Sequence, residues 1–285
     1  MTENIVITAD STCDLSPELI RDYHIIVTPL HVMMGEETFT DGVDLSAAQI
    51  FDYVSQSGVL PKTSAVSISE YAAVFRPLVE SGKTVIHVNI GGKFSSTGQN
   101  AAIAAEEVGK DKVFIVDSEN LSTGSGHVVL QITDMIQQGL SAREIVEKIQ
   151  DLLPRIDASF ILGNLEYMRK GGRCSAVAAL GANLLNLKAC IEVKNGVMGV
   201  GKKYRGNLED VLRKYTDDRL SQGPDAYEKK RVFVTSTCTD PEIPNMVRDY
   251  IVAKNIFEQV IITTAGSTVT SHCGKNTLGV LFIRK

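Results

Sequence analysis

Apolar residues in the first half of the chain come in short β-branched runs, each followed by a stretch with helical spacing. Ile5 to Ala9 and Ile25 to Leu30 read as strands on either side of a helix at Pro17 to Tyr23. Ser46-Ala-Ala-Gln49 is a capping box with Leu45 and Ile50 at the staple positions, and Ser67-Ile-Ser-Glu70 repeats the device with Val66 and Tyr71. Two amphipathic helices follow from these. Val85 to Ile90 reads as a buried strand and Ala101 to Val108, closed by Gly109, as a helix. Beyond them come a strand at Val113 to Val116, a loop rich in Ser and Gly from Asp117 to Gly126, and helices through Gln138 and from the capping box Ser141-Ala-Arg-Glu144 to Leu153. This alternation predicts a largely parallel sheet.

From Pro154 the rhythm changes. Asn195-Gly196 sits between two strand-like runs and predicts a hairpin, Asp240-Pro241-Glu242 opens a helix with a cap and an N1 proline, and Val260 to Thr264 and Leu278 to Ile283 read as strands. The expectation is an α/β protein of two domains. Residues 1–153 form a mainly parallel α/β unit and residues 154–285 a mixed α/β unit with some antiparallel pairing, with no internal repeat and no low-complexity linker.

Length supports that division, because 285 residues exceed the usual extent of one hydrophobic core. Hydrophobic residues at 44% and charged residues at 22% are ordinary for a soluble globular chain, and a formal charge of −5 without long Lys or Arg runs argues against nucleic acid or an anionic membrane surface as a partner. The first residues lack the basic segment and apolar core of a signal peptide, and no stretch approaches the roughly 18 apolar residues of a membrane span, so a cytoplasmic location is expected. Five widely spaced cysteines without a C-x-x-C pair predict free thiols, with neither a disulfide framework nor a zinc site.

The chemistry concentrates at one turn. The strand Val85 to Ile90 runs into Gly91-Gly92-Lys93-Phe94-Ser95-Ser96-Thr97-Gly98-Gln99, where Ser96 and Gln99 have capping-box spacing. Ser95, Ser96 and Thr97 then stand at a helix N-terminus, where free N–H groups and the helix dipole favour an anion. A nucleotide phosphate loop is excluded, since G-x-x-x-x-G-K-[ST] would need Gly at position 87 and Ser or Thr at 94, and the chain has His87 and Phe94. The turn suits a carboxylate or a single phosphate.

Five segments, Asp10-Ser-Thr-Cys-Asp-Leu15, Pro61-Lys-Thr-Ser64, Phe94-Ser-Ser-Thr97, Leu165-Glu-Tyr-Met-Arg-Lys-Gly-Gly-Arg173 and Ser271-His-Cys-Gly274 through Gly279, together resemble the signature blocks of the DegV family of bacterial fatty-acid-binding proteins. Asp41-Gly-Val-Asp44 and Gly181 to Lys188 add two more, and order and spacing match over nearly the whole chain. The resemblance implies two α/β domains enclosing one long-chain fatty acid, with its carboxylate near Thr63, Ser95 and His272 and with Ser64, Ser96 and Thr97 as additional head-group contacts. It further implies a protein without catalytic residues, metal or cofactor. Such a carrier presents its fatty acid to the catalytic subunit of a separate ATP-dependent fatty acid kinase, docks it through Arg173, and makes at most transient contact with a membrane surface.

Plainer readings stand beside these. Thr63-Ser64 could be an ordinary turn, Asp10-Ser11 a cap on the turn that follows, His272 a satisfied interior histidine, and Arg169, Lys170 and Arg173 a solvated loop. Gly91, Gly92, Ser96, Lys275 and Asn276 depart from residues common in the family, and Lys93 or Lys275 could approach the anion. Two other functions compete. One is a carrier of a different anionic lipid with no kinase partner, and the other a serine acyl hydrolase using Ser95 or Ser96 with His272 and Asp10 or Asp117, although the G-x-S-x-G elbow is absent.

Overall fold

A computed structural model describes residues 4–178 and 187–285. In chain order the first half contains β1 (Ile5–Asp10), α1 (Pro17–Asp22), β2 (Ile26–Thr28), β3 (His31–Met34), β4 (Glu37–Thr40), α2 (Ala47–Ser57), β5 (Lys62–Ser64), α3 (Ile68–Glu80), β6 (Thr84–Asn89), α4 (Thr97–Val108), β7 (Val113–Asp117), α5 (Thr123–Gln137) and α6 (Ala142–Leu152). The second half contains β8 (Ile156–Ile161), α7 (Leu165–Gly171), α8 (Ser175–Ala178), β9 (Leu187–Lys194), β10 (Val197–Arg205), α9 (Leu208–Arg219), β11 (Arg231–Ser236), α10 (Glu242–Val252), β12 (Gln259–Thr264), α11 (Ser267–Cys273) and β13 (Leu278–Ile283).

The fold is α/β. A parallel sheet runs β2-β1-β6-β7, and a six-stranded sheet runs β10-β9-β8-β13-β11-β12, in which every pairing is antiparallel except β11 with β12. All six positions of β6 are buried because helices cover both faces, so Val85, Ile86 and Val88 show no in–out alternation and even Thr84, His87 and Asn89 are buried. Val85 packs with Tyr71, Phe75 and Ala101 from α3 and α4, while Ile86 and Val88 belong to a core that also takes in α5. Helix α5 touches β1 and β6 on one side and β8 and β13 on the other.

Most predicted elements appear within a residue or two, and three of the four capping boxes form with both arms, at Ser46, Ser67 and Ser141. The Asn195-Gly196 hairpin joins β9 to β10 as expected. The fourth box does not form. Ser96 has φ −81° and ψ 3°, not the extended backbone a cap needs, and its side chain makes no capping bond; the Ser95 hydroxyl accepts from Thr97 N instead (3.3 Å). The proline of Asp240-Pro241-Glu242 sits one residue before its helix, and the Asp240 carboxylate accepts from Glu242 N (2.9 Å).

The Ser and Gly-rich stretch Asp117 to Gly126, read as loop, is helical from Thr123 onward. Its glycines permit close packing: a Cβ at Gly124 would lie 2.0 Å from the Asn120 side chain, and one at Gly126 would lie 2.8 Å from the Cys13 carbonyl. A third sheet, the antiparallel β4-β3-β5, has no counterpart in the sequence reading. Gly181 to Asn186 of one family-like segment lie outside the described residues.

Arg231 on β11 ties the two sheets' shared helix in place. Buried with Asp134 of α5, it donates to that carboxylate at 2.6 Å, and the half-exposed Lys230 adds a second contact at 2.8 Å. Removing the guanidinium leaves the buried carboxylate with only the half-exposed Lys230 ammonium as partner, so Arg231→Met is expected to lower unfolding stability by about 3 kcal/mol in urea titration. The double variant Arg231→Met, Asp134→Leu should recover much of that loss.

Candidate functional site

A cavity of about 400 Å³ opens where β5, the turn after β6, the end of α7 and helix α11 meet. That volume falls within the roughly 300–1,000 Å³ usual for small-molecule sites. Thr63 and Ser64 reach it because β5 pairs with β3, which places Thr63 opposite Val32. Ser95 and Ser96 reach it from the N-terminus of α4, and His272 and Thr268, one turn apart on α11, close the opposite wall. Thr63 and His272, 209 residues apart in the chain, form a side-chain hydrogen bond of 2.9 Å between Oγ1 and Nε2.

His272 is partly buried, with its Nδ1 atom shielded from solvent. Removal from water, with the charge of Arg173 as a second cause, pushes its imidazolium down to about 4, so the ring is neutral at pH 7. The Nδ1 atom has no partner, and it lies against Gly171, where an added Cβ would come within 2.6 Å. An unpaired lone pair is better tolerated there than an unpaired N–H, which favours the tautomer that carries its proton on Nε2 and donates to Thr63. The Thr63 hydroxyl hydrogen is then free to face the cavity.

Arg173 is exposed, borders the cavity mouth, and donates from Nη1 to the Gly171 carbonyl (2.9 Å). Lys93 also borders the cavity, yet its ammonium donates to the Asn195 carbonyl at the β9–β10 hairpin (2.9 Å). Lys275 is not among the lining residues. Gly91 and Gly92 are closely packed: a Cβ would lie 3.0 Å from Asn120 N at Gly91, and at Gly92 it would lie 2.9 Å from the end of the Asp117 side chain, which would have to shift.

Thr97 does not line the cavity. Its hydroxyl bonds to the Tyr71 phenol at 2.7 Å, and Tyr71 donates to the buried Asp10 carboxylate at 2.5 Å. Asp10 also accepts from Ile90 N (3.1 Å) and the Thr28 hydroxyl (3.3 Å), and it makes no cap for the turn that follows it. One carboxylate thereby braces both ends of the turn from Ile90 to Thr97. Burial first, then the charge of Asp10, pushes the Tyr71 phenol well above its ordinary value, so it remains a donor. This brace escaped the sequence reading, which used Tyr71 only as a staple residue.

An inner chamber adjoins the cavity and shares Leu121, Val269 and Cys273 with it. Its wall includes Ala158, Phe160 and Leu281 but also several hydroxyl residues. Those hydroxyls are occupied elsewhere: Thr237 donates to the Gly274 carbonyl, Thr277 to the Cys273 carbonyl, and Thr235 bonds with Thr123 and Thr263. The surface they present inward is almost wholly apolar. A hydroxyl-bearing vestibule thus stands beside a small apolar recess of about 30 Å³. Among the described residues there is no cluster of metal-ligating side chains, and no helix is long and apolar enough to cross a membrane.

The pattern of the family described as "Uncharacterised protein, DegV family" matches residues 4–285. A DegV domain-containing protein of Caldanaerobacter subterraneus is 30% identical over 283 residues, covering 99% of this chain and all of that protein. Two solved structures are similar throughout. One, from Thermus thermophilus, is described as showing fatty acid binding of a DegV family protein, with 26% identity, a TM-score of 0.92, and coverage of 99% of this chain and 100% of that one. The other, a stearic acid-binding protein from Eubacterium ventriosum, has 27% identity, a TM-score of 0.86 and coverage of 98% of each chain.

The depressed imidazole value carries a sign. Between pH 6.5 and about 4 the unfolded chain takes up a proton at His272 that the folded protein refuses, so stability is full above pH 6.5 and is lost as pH falls toward 4. His127, whose imidazole burial likewise pushes down to about 4, adds to the loss. In lipid-free protein, NMR titration should place both rings near pH 4, and His272→Gln should make the fall in melting temperature over that window shallower. A His272 ring that titrates at its ordinary 6.5 would contradict this account.

Proposed function

The chain belongs to the DegV family, and on that premise we propose that it binds one long-chain fatty acid, with its carboxylate at Thr63 and Ser95 and its alkyl chain in the apolar recess. The observation that carries this reading is the juxtaposition of the two chambers, which share Leu121, Val269 and Cys273 in their walls, with hydroxyl donors in one and an almost wholly apolar surface in the other. His272, neutral and donating to Thr63, orients the threonine hydroxyl toward the carboxylate. Ser96, freed from capping, and Ser64 stand by as further donors.

The protein acts as a carrier, and chemistry on the carboxyl group belongs to a separate ATP-dependent fatty acid kinase. Arg173 suits the docking role, since it is exposed at the rim, where a guanidinium can meet a phosphate or a partner carboxylate. The hydrolase alternative lacks support in the geometry. A nucleophilic serine needs the imidazole within hydrogen-bond reach, but His272 Nε2 is engaged by Thr63 and its Nδ1 is covered by Gly171. A location in the cytoplasm and the division at residues 153 and 154 belong to the same proposal.

Alkyl burial contributes about 0.8 kcal/mol per methylene, so protein purified from cells should carry fatty acid, detectable by native mass spectrometry and solvent extraction. Empty protein that also fails to take up added fatty acid would overturn the reading. Each of Ser95→Ala and Thr63→Val removes a hydroxyl donor to a carboxylate worth about 1.5–3 kcal/mol, and should weaken binding roughly ten- to hundredfold. The carboxylate lies elsewhere if neither variant changes affinity.

Arg173→Ala separates carriage from presentation. Fatty acid should stay bound, because the guanidinium sits at the rim, while acyl phosphate formation with kinase and ATP should fall sharply. Ester cleavage by the protein alone, lost in Ser95→Ala, would instead favour the hydrolase.

A further inference from the structure

Helix α11 supplies one wall of the vestibule and part of the recess, yet it has only seven residues and comes from the second half of the chain. Its N-terminus meets two buried carboxylates of the first half. Asp41 Oδ1 accepts from Ser267 N at 2.6 Å, and Asp14 Oδ1 accepts from Gly266 N at 2.9 Å. The second oxygen of each is also held: Ser11 Oγ donates to Asp41 Oδ2 (2.8 Å), and Ser122 Oγ donates to Asp14 Oδ2 (2.5 Å). The Ser267 hydroxyl adds a bond to the Leu45 carbonyl at 2.5 Å.

The fit leaves no slack. A Cβ at Gly266 would lie 2.9 Å from Asp41 Oδ1 and 3.1 Å from Asp14 Oδ1, so only glycine lets both carboxylates reach the first amides. Asp14 itself has φ 49°, which an Asp tolerates better than most residues. Neither aspartate lines the cavity. Their reach extends along the helix: Thr268 and Val269 follow in the first turn, and His272, in the second, bonds to Thr63.

We propose that Asp14 and Asp41 are positioning residues for the head-group site, setting the axial position and rotation of α11 so that His272 meets Thr63. Two amide bonds at one end of so short a helix fix where its other end falls. The carboxylates come from loops beside the parallel sheet and the imidazole from the second half of the chain, so the clamp converts contact between the two halves into the geometry of the vestibule. The proposal depends on fatty acid binding only for its affinity readout.

The experiment compares Asp41→Ala, Asp14→Ala and the conservative Asp14→Asn in lipid-free protein by NMR of the His272 ring, with circular dichroism to confirm folding. Removal from water, reinforced by the charge of Asp41, pushes the Asp14 carboxyl up to about 8, so asparagine, neutral and isosteric, is a close replacement there. Both alanine variants should move the His272 titration from about 4 toward the ordinary 6.5, and fatty acid affinity should fall about tenfold or more, while Asp14→Asn stays near the parent. Should Asp41→Ala fail to fold, Ser11→Ala, which removes the hydroxyl steadying Asp41 and accepting from Leu30 N (3.1 Å), should shift the ring in the same direction by less. Folded alanine variants with a lowered melting temperature but an unmoved His272 titration would overturn the proposal and leave only a structural role for the carboxylates. If the parent protein binds no fatty acid, the functional reading fails while the ring titration still decides the clamp.

Discussion

Burial of α5 is the constraint from which the rest of the architecture follows. From Thr123 to Leu130 every residue of this helix is buried, and it touches strands of both sheets, so neither sheet can move without opening its packing. The principal core accordingly draws on both halves of the chain, from Ile7 and Ile86 to Phe233 and Leu281. Such a helix must be thin where its neighbours press on it, and Gly124, against Asn120, and Gly126, against Cys13 and Leu15, supply that thinness. With the sheets held on its two sides, the carboxyl ends of β1, β6 and β7 are directed at the edge of the second sheet. Parallel α/β proteins place their ligand sites at those ends, and here the vestibule lies beside the turn that follows β6.

The electrostatics of the vestibule are correspondingly restrained. Burying an unpaired cation would demand a partner, whereas neutral donors do not. Lys93 turns its ammonium to the Asn195 carbonyl, Arg173 stays at the exposed rim, and His272, the partly buried basic side chain of the lining, is uncharged at neutral pH. The lining offers hydroxyls and the N-terminus of α4, groups suited to an anion that leave no permanent buried charge behind. The same economy appears in the recess, where threonines satisfy backbone carbonyls or one another.

Local signals survived translation into structure where the physics was local. Capping boxes at Ser46, Ser67 and Ser141 need only a few neighbouring residues, and all three form. The Asn195-Gly196 turn is likewise self-contained. Ser96 shows the limit of this kind of reading, since its spacing to Gln99 is right but the preceding turn, braced by Asp10 through Ile90 N and Tyr71, holds its backbone out of the capping conformation. Gly124 and Gly126 mislead for a related reason: glycine marks a loop when nothing presses on it and a packed helix when neighbouring chain does, here Asn120, Cys13 and Leu15. The pairing of Thr63 with His272 and the Asp14 and Asp41 clamp join residues more than 200 positions apart, and single-sequence periodicity carries no trace of such contacts.

The Lys170-Gly171-Gly172-Arg173 segment shows how surface and interior are coupled. Gly172 ends α7 in the left-handed region at φ 70°, which turns the chain sharply and carries Arg173 back to the rim. Gly171 meets a different demand, because its bare backbone packs against the buried Nδ1 of His272 and any side chain would collide with the ring. The imidazole is therefore enclosed between Thr63 on one nitrogen and the arginine-bearing loop on the other. A shift of the ring large enough to lengthen its bond to Thr63 would press on Gly171 or leave a void beneath it. The Thr63 hydroxyl and the loop that carries Arg173 thus stand on opposite sides of one imidazole, and the bare backbone of Gly171 is what lets that loop approach the ring so closely.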